Sequence, residues 1–472
     1  MKASSSFQRK MFATCMSLAL ATLATQAMAE DTPAVDAPYT FLDSVKDGKP
    51  MTSFRFRYET VDQDAFQANG VDKLDTANSL TLRSLVGWQT APYKNFSFAA
   101  QITDVHEFVS NNNDRRGNLS EPGNGNYPNV VDPSFTDINQ VYVDWTGIKN
   151  TKLRLGRQVL NLDNVRFIGD IAFRQNTQVF DGISVTNKSL PNTEIVAAHF
   201  EQVRQINTQL RQGNIDILNG KYRISPSESL VGYGYFVDVA NLSQNGQSLA
   251  GPNAPSAAPS GGNGLGPSQD LVKTATTDAS SKTIGIRLDG ARAINADWKG
   301  LYTAEFAKQT DFAGGDKRID AHYFKVGGGA AYAGWSARID HEVLSSNDGK
   351  YAFQTPLGTN HLFQGWSDHF LATPKQGIED TFITVAGNIE KVKVYAEYHV
   401  FKSDEKYASV NGTFGNDYGT EFDASLAYVV NKNLSTKFEY AKFNEQDIYG
   451  GKLSPARKGD KEIIWLTAMY TF

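Results

Sequence analysis

Residues 153–182 read LRLGRQVLNLDNVRFIGDIAFRQNTQVFDG. In an extended chain, successive side chains point to opposite faces. Leu153 and Leu155 therefore share one side, and Lys152, Arg154 and Gly156 the other. A second strand begins around Val179, Asp181 and Gly182, and the connection between the two carries Arg157, Asp163, Arg166, Asp170, Arg174 and Gln175. Arginines and carboxylates crowded between two strands that are apolar on one side only imply a charged interior inside an apolar wall. A transmembrane β-barrel with a polar lumen has that arrangement.

Working outward, the same period-two pattern recurs along the chain. It starts at Phe54–Glu59, where Phe54, Phe56 and Tyr58 interleave with Arg55, Arg57 and Glu59. It returns in Leu80–Trp88, Phe96–Phe108, Ile138–Thr146 and Leu153–Val159, then in Val179–Asn187, Ile195–Arg204, Ile215–Arg223 and Leu230–Val239. The later segments are Ile284–Leu288, Trp298–Lys308, Ala321–Gly327, Trp335–Leu344, Thr381–Gly387, Val392–Lys402, Glu421–Val430, Leu434–Phe443 and Ile463–Phe472. The total is about eighteen, an even number as single-chain bacterial barrels require. Connections after even-numbered strands are short (Ala91–Tyr93, Gly147–Asn150, Leu190–Asn192, Asn431–Asn433). Those after odd-numbered strands are mostly long (Ser110–Phe135, Leu160–Gln178, Asn241–Ser281, Ser345–Asp380). Threading from the periplasm produces this alternation of periplasmic turns and extracellular loops. Gln247–Gln269, rich in Gly, Pro and Ser, is expected to be a poorly ordered extracellular loop, and Gly327–Gly329 a tight turn between strands.

Composition agrees. The chain has 472 residues, 11% aromatic, 40 of them glycine, with mean hydropathy -0.40. After the N-terminus it has no apolar run of about 18 residues, which excludes a helical membrane protein. Lys2, Arg9 and Lys10 precede the apolar stretch Met11–Thr25, and Ala27-Met28-Ala29 fits a signal-peptidase site. Residues 1–29 are accordingly expected to be a signal peptide, 30–50 a periplasmic lead-in, and 51–472 the barrel. The single cysteine, Cys15, falls within the signal, so the mature chain is expected to have neither disulfide nor thiolate metal site. The net charge of -5 becomes about three units more negative on processing, which gives no support to nucleic-acid binding.

Lipid offers no hydrogen-bond partners, so the strands must close into a ring with apolar side chains outward. Charged side chains such as Arg55, Arg57, Glu59, Arg83, Asp144, Arg154, Arg287, Glu305, Arg338, Asp340, Glu342, Glu397 and Glu439 are then lumenal. A Lys or Arg at mid-bilayer would cost about 2–4 kcal/mol. Arginine's fixed, permanently charged fork suits carboxylates, and rings of Arg or Lys are how pores favour anions. Arg154, Arg166 and Arg174, added to Arg55, Arg57 and Arg83, could form a positive ladder along a solute path. Equally, they could pin a loop folded inward, through pairs such as Arg166–Asp163 or Arg174–Asp181.

The chain ends on Ile464, Leu466, Ala468, Tyr470 and Phe472 in alternation, which resembles the assembly signal of outer-membrane barrels. That implies the barrel-assembly machinery as a partner alongside outer-membrane lipid. The 153–182 segment resembles the signature of the alginate-export family of outer-membrane barrels, and Pro356–Asp380 (PLGTNHLFQGWSDHFLATPKQGIED) resembles its late loop. The resemblance implies an eighteen-stranded barrel, an arginine-rich constriction, and passage of acidic polysaccharide or other small anionic solutes. By motif position it carries over to Arg154, Arg157, Arg166 and Arg174 with Asp163, Asp170 and Asp181. Fold likeness alone does not assign cargo, so a broad, weakly selective porin and a barrel occluded by its loops stand beside the anion channel.

A barrel enzyme, a phospholipase or protease with His and Ser or Asp near one rim, is the rival class, but no motif supports it. No G-x-S-x-G elbow, H-E-x-x-H set, phosphate-binding loop or dinucleotide fingerprint occurs, so no catalytic residue, metal or cofactor is expected. His106-Glu107 and His341-Glu342 are adjacent on strands and so point apart. His361, Trp366 and Asp368 could stack on sugars, but they are expected to pin the late loop to the wall.

Overall fold

The computed structural model describes residues 39–64, 74–114, 126–240, 242, 278–408, 414–446 and 459–472. The segment expected to be a signal peptide, with Cys15, and the loop expected over Gln247–Gln269 lie outside the described residues. Eighteen antiparallel strands form the wall. The first nine are β1 (Ser53–Gln63), β2 (Ala77–Gln89), β3 (Phe96–Asn111), β4 (Phe135–Trp145), β5 (Thr151–Gln158), β6 (Val179–Asn187), β7 (Thr193–Arg204), β8 (Leu210–Ser225) and β9 (Glu228–Asp238). The second nine are β10 (Ser281–Ala293), β11 (Trp298–Asp311), β12 (Asp320–Tyr332), β13 (Trp335–Leu344), β14 (Ile378–Ile389), β15 (Val392–Ala408), β16 (Phe414–Val429), β17 (Leu434–Glu445) and β18 (Lys461–Thr471). Each pairs with its neighbours in sequence, and β18 closes the ring on β1, from Lys461 opposite Gln63 to Thr471 opposite Ser53. Closure leaves no sheet edge in the membrane. Among the described residues no helix is long and apolar enough to cross a bilayer; the strands do so.

Alternation sets the two faces. Val86, Ile102, Leu155, Ile284, Ile339 and Ile383 are each more than half exposed on the outside, while Arg57, Glu59, Thr81, Glu305 and Asp340 between them are buried inside. Aromatic rings gather at the short-turn end, where Trp298 stacks on Tyr332 at 4.7 Å and Phe54 meets the terminal Phe472 at 6.0 Å. Asn95, Asn150 and Asn192 take φ of 69°, 56° and 56° in these turns, a conformation that asparagine tolerates better than most residues.

Three features depart from the sequence reading. A six-residue helix, α1 (Phe41–Lys46), capped by Thr40 and Asp43, sits in the lead-in, with the Phe41 ring against Tyr93 and Phe98. The strands foreseen over Ile284–Leu288 and Ala321–Gly327 run on to Ala293 and Tyr332, because their small residues carry no hydropathy alternation. Gly327–Gly329 lies within β12, not at a turn. Gly327 and Gly329 are the register partners of Asp340 and Arg338. A Cβ on Gly327 would stand 1.9 Å from the Asp340 carboxylate, so glycine here makes room for an inward ion pair.

The lumen is not uniformly polar. Leu162, Phe167 and Ile168 from the loop after β5, and Phe353, Leu357 and Phe370 from the loop after β13, pack on wall residues Tyr233, Tyr235, Tyr323, Phe401 and Phe443. The two inward loops thus bring an apolar core of their own into the barrel.

Candidate functional site in the barrel lumen

After Gln158 the chain abandons the wall and turns into the lumen. Val165 and Ile171 adopt φ of 58° and 54° there, a region that costs a β-branched residue about 1–3 kcal/mol and persists only where the surroundings impose it. The late loop imposes it. Thr359 N donates to Val165 O at 2.8 Å, Ile171 N to Thr359 Oγ1 at 3.1 Å, and Gly169 N to Leu357 O at 2.9 Å. Asp170 Oδ1 accepts from Ala172 N, holding the next turn. The two sequence-distant segments therefore form one inward unit.

The loop arginines fasten that unit to the wall. Arg174, 5% exposed, meets Glu59 at 3.1 Å, Asp368 at 2.7 Å and Asp132 at 3.7 Å. Burial alone would weaken its charge, but Glu59, Asp368 and Asp132 outweigh burial and raise its pKa above the ordinary value. Arg166 pairs with Glu342 at 2.9 Å, donates to Gln364 at 2.9 Å and lies over the Phe363 ring. These partners replace the Arg166–Asp163 and Arg174–Asp181 pairs considered from the sequence. Carboxylates on β1, β13 and the late loop are far away in sequence but are brought beside the inward loop by closure of the ring. Asp163 instead accepts from Asn219 at 2.7 Å, and burial raises its carboxyl above 3.8. His361 stacks on Phe173 at 3.3 Å and bonds Asp368 at 2.8 Å, while Trp366 stacks on Tyr395, so these residues pin the late loop. Asp132 and Lys461, which join this network, carry no local sequence pattern that singles them out.

Along the wall, Arg154 holds Asp144 through two bonds of 2.6 and 2.8 Å and lies over Tyr142. Arg287 pairs with Asp289, and Arg338 with Asp340 at 2.5 Å. Arg157 and Asp181 pair at 2.7 Å. They are register partners on the side of β5 and β6 that carries Leu153, Leu155 and Ile183, opposite to Arg154 and Ser184. They stand apart from the lumenal arginines. Arg157 and Arg204 also reach Ile138 O and Asp137, beyond the point where β4 loses β5 as a pairing strand.

One cluster differs from the rest. Arg55 and Arg83 face each other directly across β1 and β2, and Arg57 is two residues along from Arg55. Arg55 donates to Gln175 Oε1 at 2.8 Å, to Ala172 O at 2.6 Å and to Arg174 O; Arg57 donates to Phe173 O at 2.5 Å. Among the described residues, none of the three has a carboxylate within ion-pair distance, and the buried Nε of Arg83 has no hydrogen-bond partner. Like charges directly opposite on a sheet are destabilising.

The sequence matches the family model described as alginate export over residues 51–454. No curated protein matches it in sequence. In fold it is similar to OpdQ of Pseudomonas aeruginosa, at TM-score 0.62 and 12% identity over 91% of this chain and 98% of that one. OccAB2 of Acinetobacter baumannii gives 0.60 and 13% over 91% and 99%. The outer membrane protein opdK of Pseudomonas aeruginosa gives 0.57 and 11% over 90% and 98%. The match over most of its length, to a closed barrel with an apolar outer belt and a charged lumen, places this chain in the alginate export family, as a channel of the outer membrane.

Proposed function

We propose that the channel passes small anionic solutes, acidic sugars among them, and that Arg55, Arg57 and Arg83 select them. The observation that carries this reading is the arginine cluster on β1 and β2. Three guanidinium groups crowd one strip of wall without an ion-pair partner, so their charge is left to attract a passing anion. Backbone carbonyls of residues 172–174 hold Arg55 and Arg57 in place, which fixes the forks for a passing carboxylate. Binding stays weak because each contact is with one of several adjacent groups, and a conducting site has to release what it holds. Arg154, Arg166, Arg174, Arg287 and Arg338 are neutralised by their own carboxylates and serve mainly to shape the path. Phe472, packed on Phe54, ends the strand that the barrel-assembly machinery would engage.

The pairing of those five arginines favours a second reading, a broad and weakly selective porin. Reversal potential across a planar bilayer under a salt gradient, followed by addition of oligouronate, separates the two. Anion preference with current block supports the selective channel. Unselective, unblocked current refutes it.

A further inference from the structure

The wall formed by β14–β16 carries acids that the solute path leaves unexplained. Glu397 and His399 are two apart on β15 and so share the lumenal face, and Asp423 on β16 is the register partner of Glu397. His399 Nδ1 lies 2.9 Å from Asp380 Oδ2. With the proton on that nitrogen, the Nε2 lone pair faces Glu397 Oε2 at 3.5 Å and Asp423 Oδ2 at 3.6 Å. Both distances are beyond hydrogen bonding. His399 is 2% exposed, yet Nε2 has no partner, nor has Asp423 Oδ1. Among the described residues no Lys or Arg forms an ion pair with Asp380, Glu397, Glu421 or Asp423, so Asp380, Glu397 and Asp423 share one imidazole, with Glu421 buried beside them as the register partner of His399. Buried charge without compensation is costly.

We propose that Glu397, His399 and Asp423 form a binding site for one divalent transition-metal ion of the zinc class, buried in the barrel wall beneath the late loop. Their candidate ligand atoms all lie within 4.8 Å of one another. Zinc bonds of about 2.1 Å at tetrahedral angles separate donors by about 3.4 Å, a small adjustment from the two histidine distances. Asp380 holds the second imidazole nitrogen, as carboxylates do behind metal-bound histidines, fixing tautomer and ring orientation. The other Glu397 oxygen is held by Thr384 at 2.8 Å and by Tyr395. The late loop closes the site: Trp366 N donates to Asp423 at 3.1 Å, and Ser367 N and Oγ donate to Glu421. Gly365, at φ +78°, allows that approach, since a Cβ there would sit 2.4 Å from the Glu421 carboxylate. A bound ion would offset the acid cluster and tie β14–β16 to the loop.

The test uses the whole folded barrel in detergent, stripped with chelator, titrated with zinc chloride and assayed for metal after dialysis. Wild type is expected to retain about one zinc ion per chain, with an X-ray absorption spectrum showing one imidazole among oxygen ligands. His399→Gln and Asp423→Asn lose the ion, and Asp380→Asn weakens it by about 10- to 100-fold while keeping the gel mobility of a folded barrel. Three results overturn the proposal: a folded wild type that retains no zinc, a spectrum without imidazole, or equal retention by His399→Gln. The first two need no variant, so a misfolded mutant cannot shelter the idea. A wild type that binds no metal while His399 titrates as an imidazolium would assign the cluster to a caged proton instead.

Discussion

Replacing Arg174 by methionine tests whether the loops are held in the lumen by charge. The substitution keeps a long apolar stem but leaves Glu59, Asp132 and Asp368 buried without the cation they share. Removing one partner from a buried ion pair costs about 3–5 kcal/mol. At about 1.4 kcal/mol per factor of ten, the ratio of pinned to released loop falls by about two to three and a half orders of magnitude. The apolar contacts of Phe167, Ile168 and Phe370 do not involve Arg174 and persist, so the barrel is expected to fold. The assay is single-channel conductance with limited proteolysis of the same sample. Arg174→Met should give larger, noisier openings and new cleavage within residues 159–178. Adding Asp368→Asn, which removes one orphaned charge, should recover part of the loss, with the coupling measured as a double-mutant cycle. A folded Arg174→Met barrel with the conductance and protection of wild type would refute the reasoning.

Neutralising Arg55 and Arg83 together with glutamine should lower the anion-to-cation permeability ratio about tenfold, equivalent to about 1.4 kcal/mol, read as a shift in reversal potential; an unchanged ratio removes the arginine cluster as selector. Acid should loosen the late loop. Burial alone would lift the Asp368 carboxyl, but His361, Arg174 and Lys461 hold it below its ordinary 3.8. Its contribution is therefore complete above that value and is lost as pH falls through the depressed folded pKa. Conductance noise that rises steeply below about pH 4, as Asp368 protonates, is the expected record; noise unchanged on going from about pH 4 into stronger acid would contradict it. Leu155→Arg, placed on the lipid side at a residue 57% exposed, should cost about 2–4 kcal/mol of barrel stability in bilayers if it sits at mid-membrane. Equal stability of wild type and variant in urea titrations would move that face out of the membrane.

The outer wall was legible because lipid enforces it. Every second residue of a spanning strand must be apolar, so Phe54, Ile102, Leu155 and Ile339 announce strand and face together, and the short–long rhythm of the connections orients the barrel. Strand ends went unread where glycine and alanine replace the alternation, as in Gly327–Ala331, and where strands run past the membrane, as Val392–Ala408 runs on beyond Lys402 and Phe414–Val429 begins before Glu421. Inside, the constraint disappears. A lumenal arginine satisfies the pattern whether it meets a solute, a carboxylate beside it or a loop from across the barrel.

The sequence by itself therefore determined the eighteen strands, their order, their lipid-facing side and the presence of charge within. The tertiary structure decided which charges are spent on holding the fold. Arg174 and Arg166 find Glu59, Asp368 and Glu342 from distant parts of the chain, Arg157 and Asp181 share the face of Leu155, and Arg55 with Arg83 is left facing like charge. The same folding brings His399 among four carboxylates drawn from three strands. The physical reason is that face is a local property with a period of two residues, whereas pairing depends on which strands and loops the closed ring sets opposite one another.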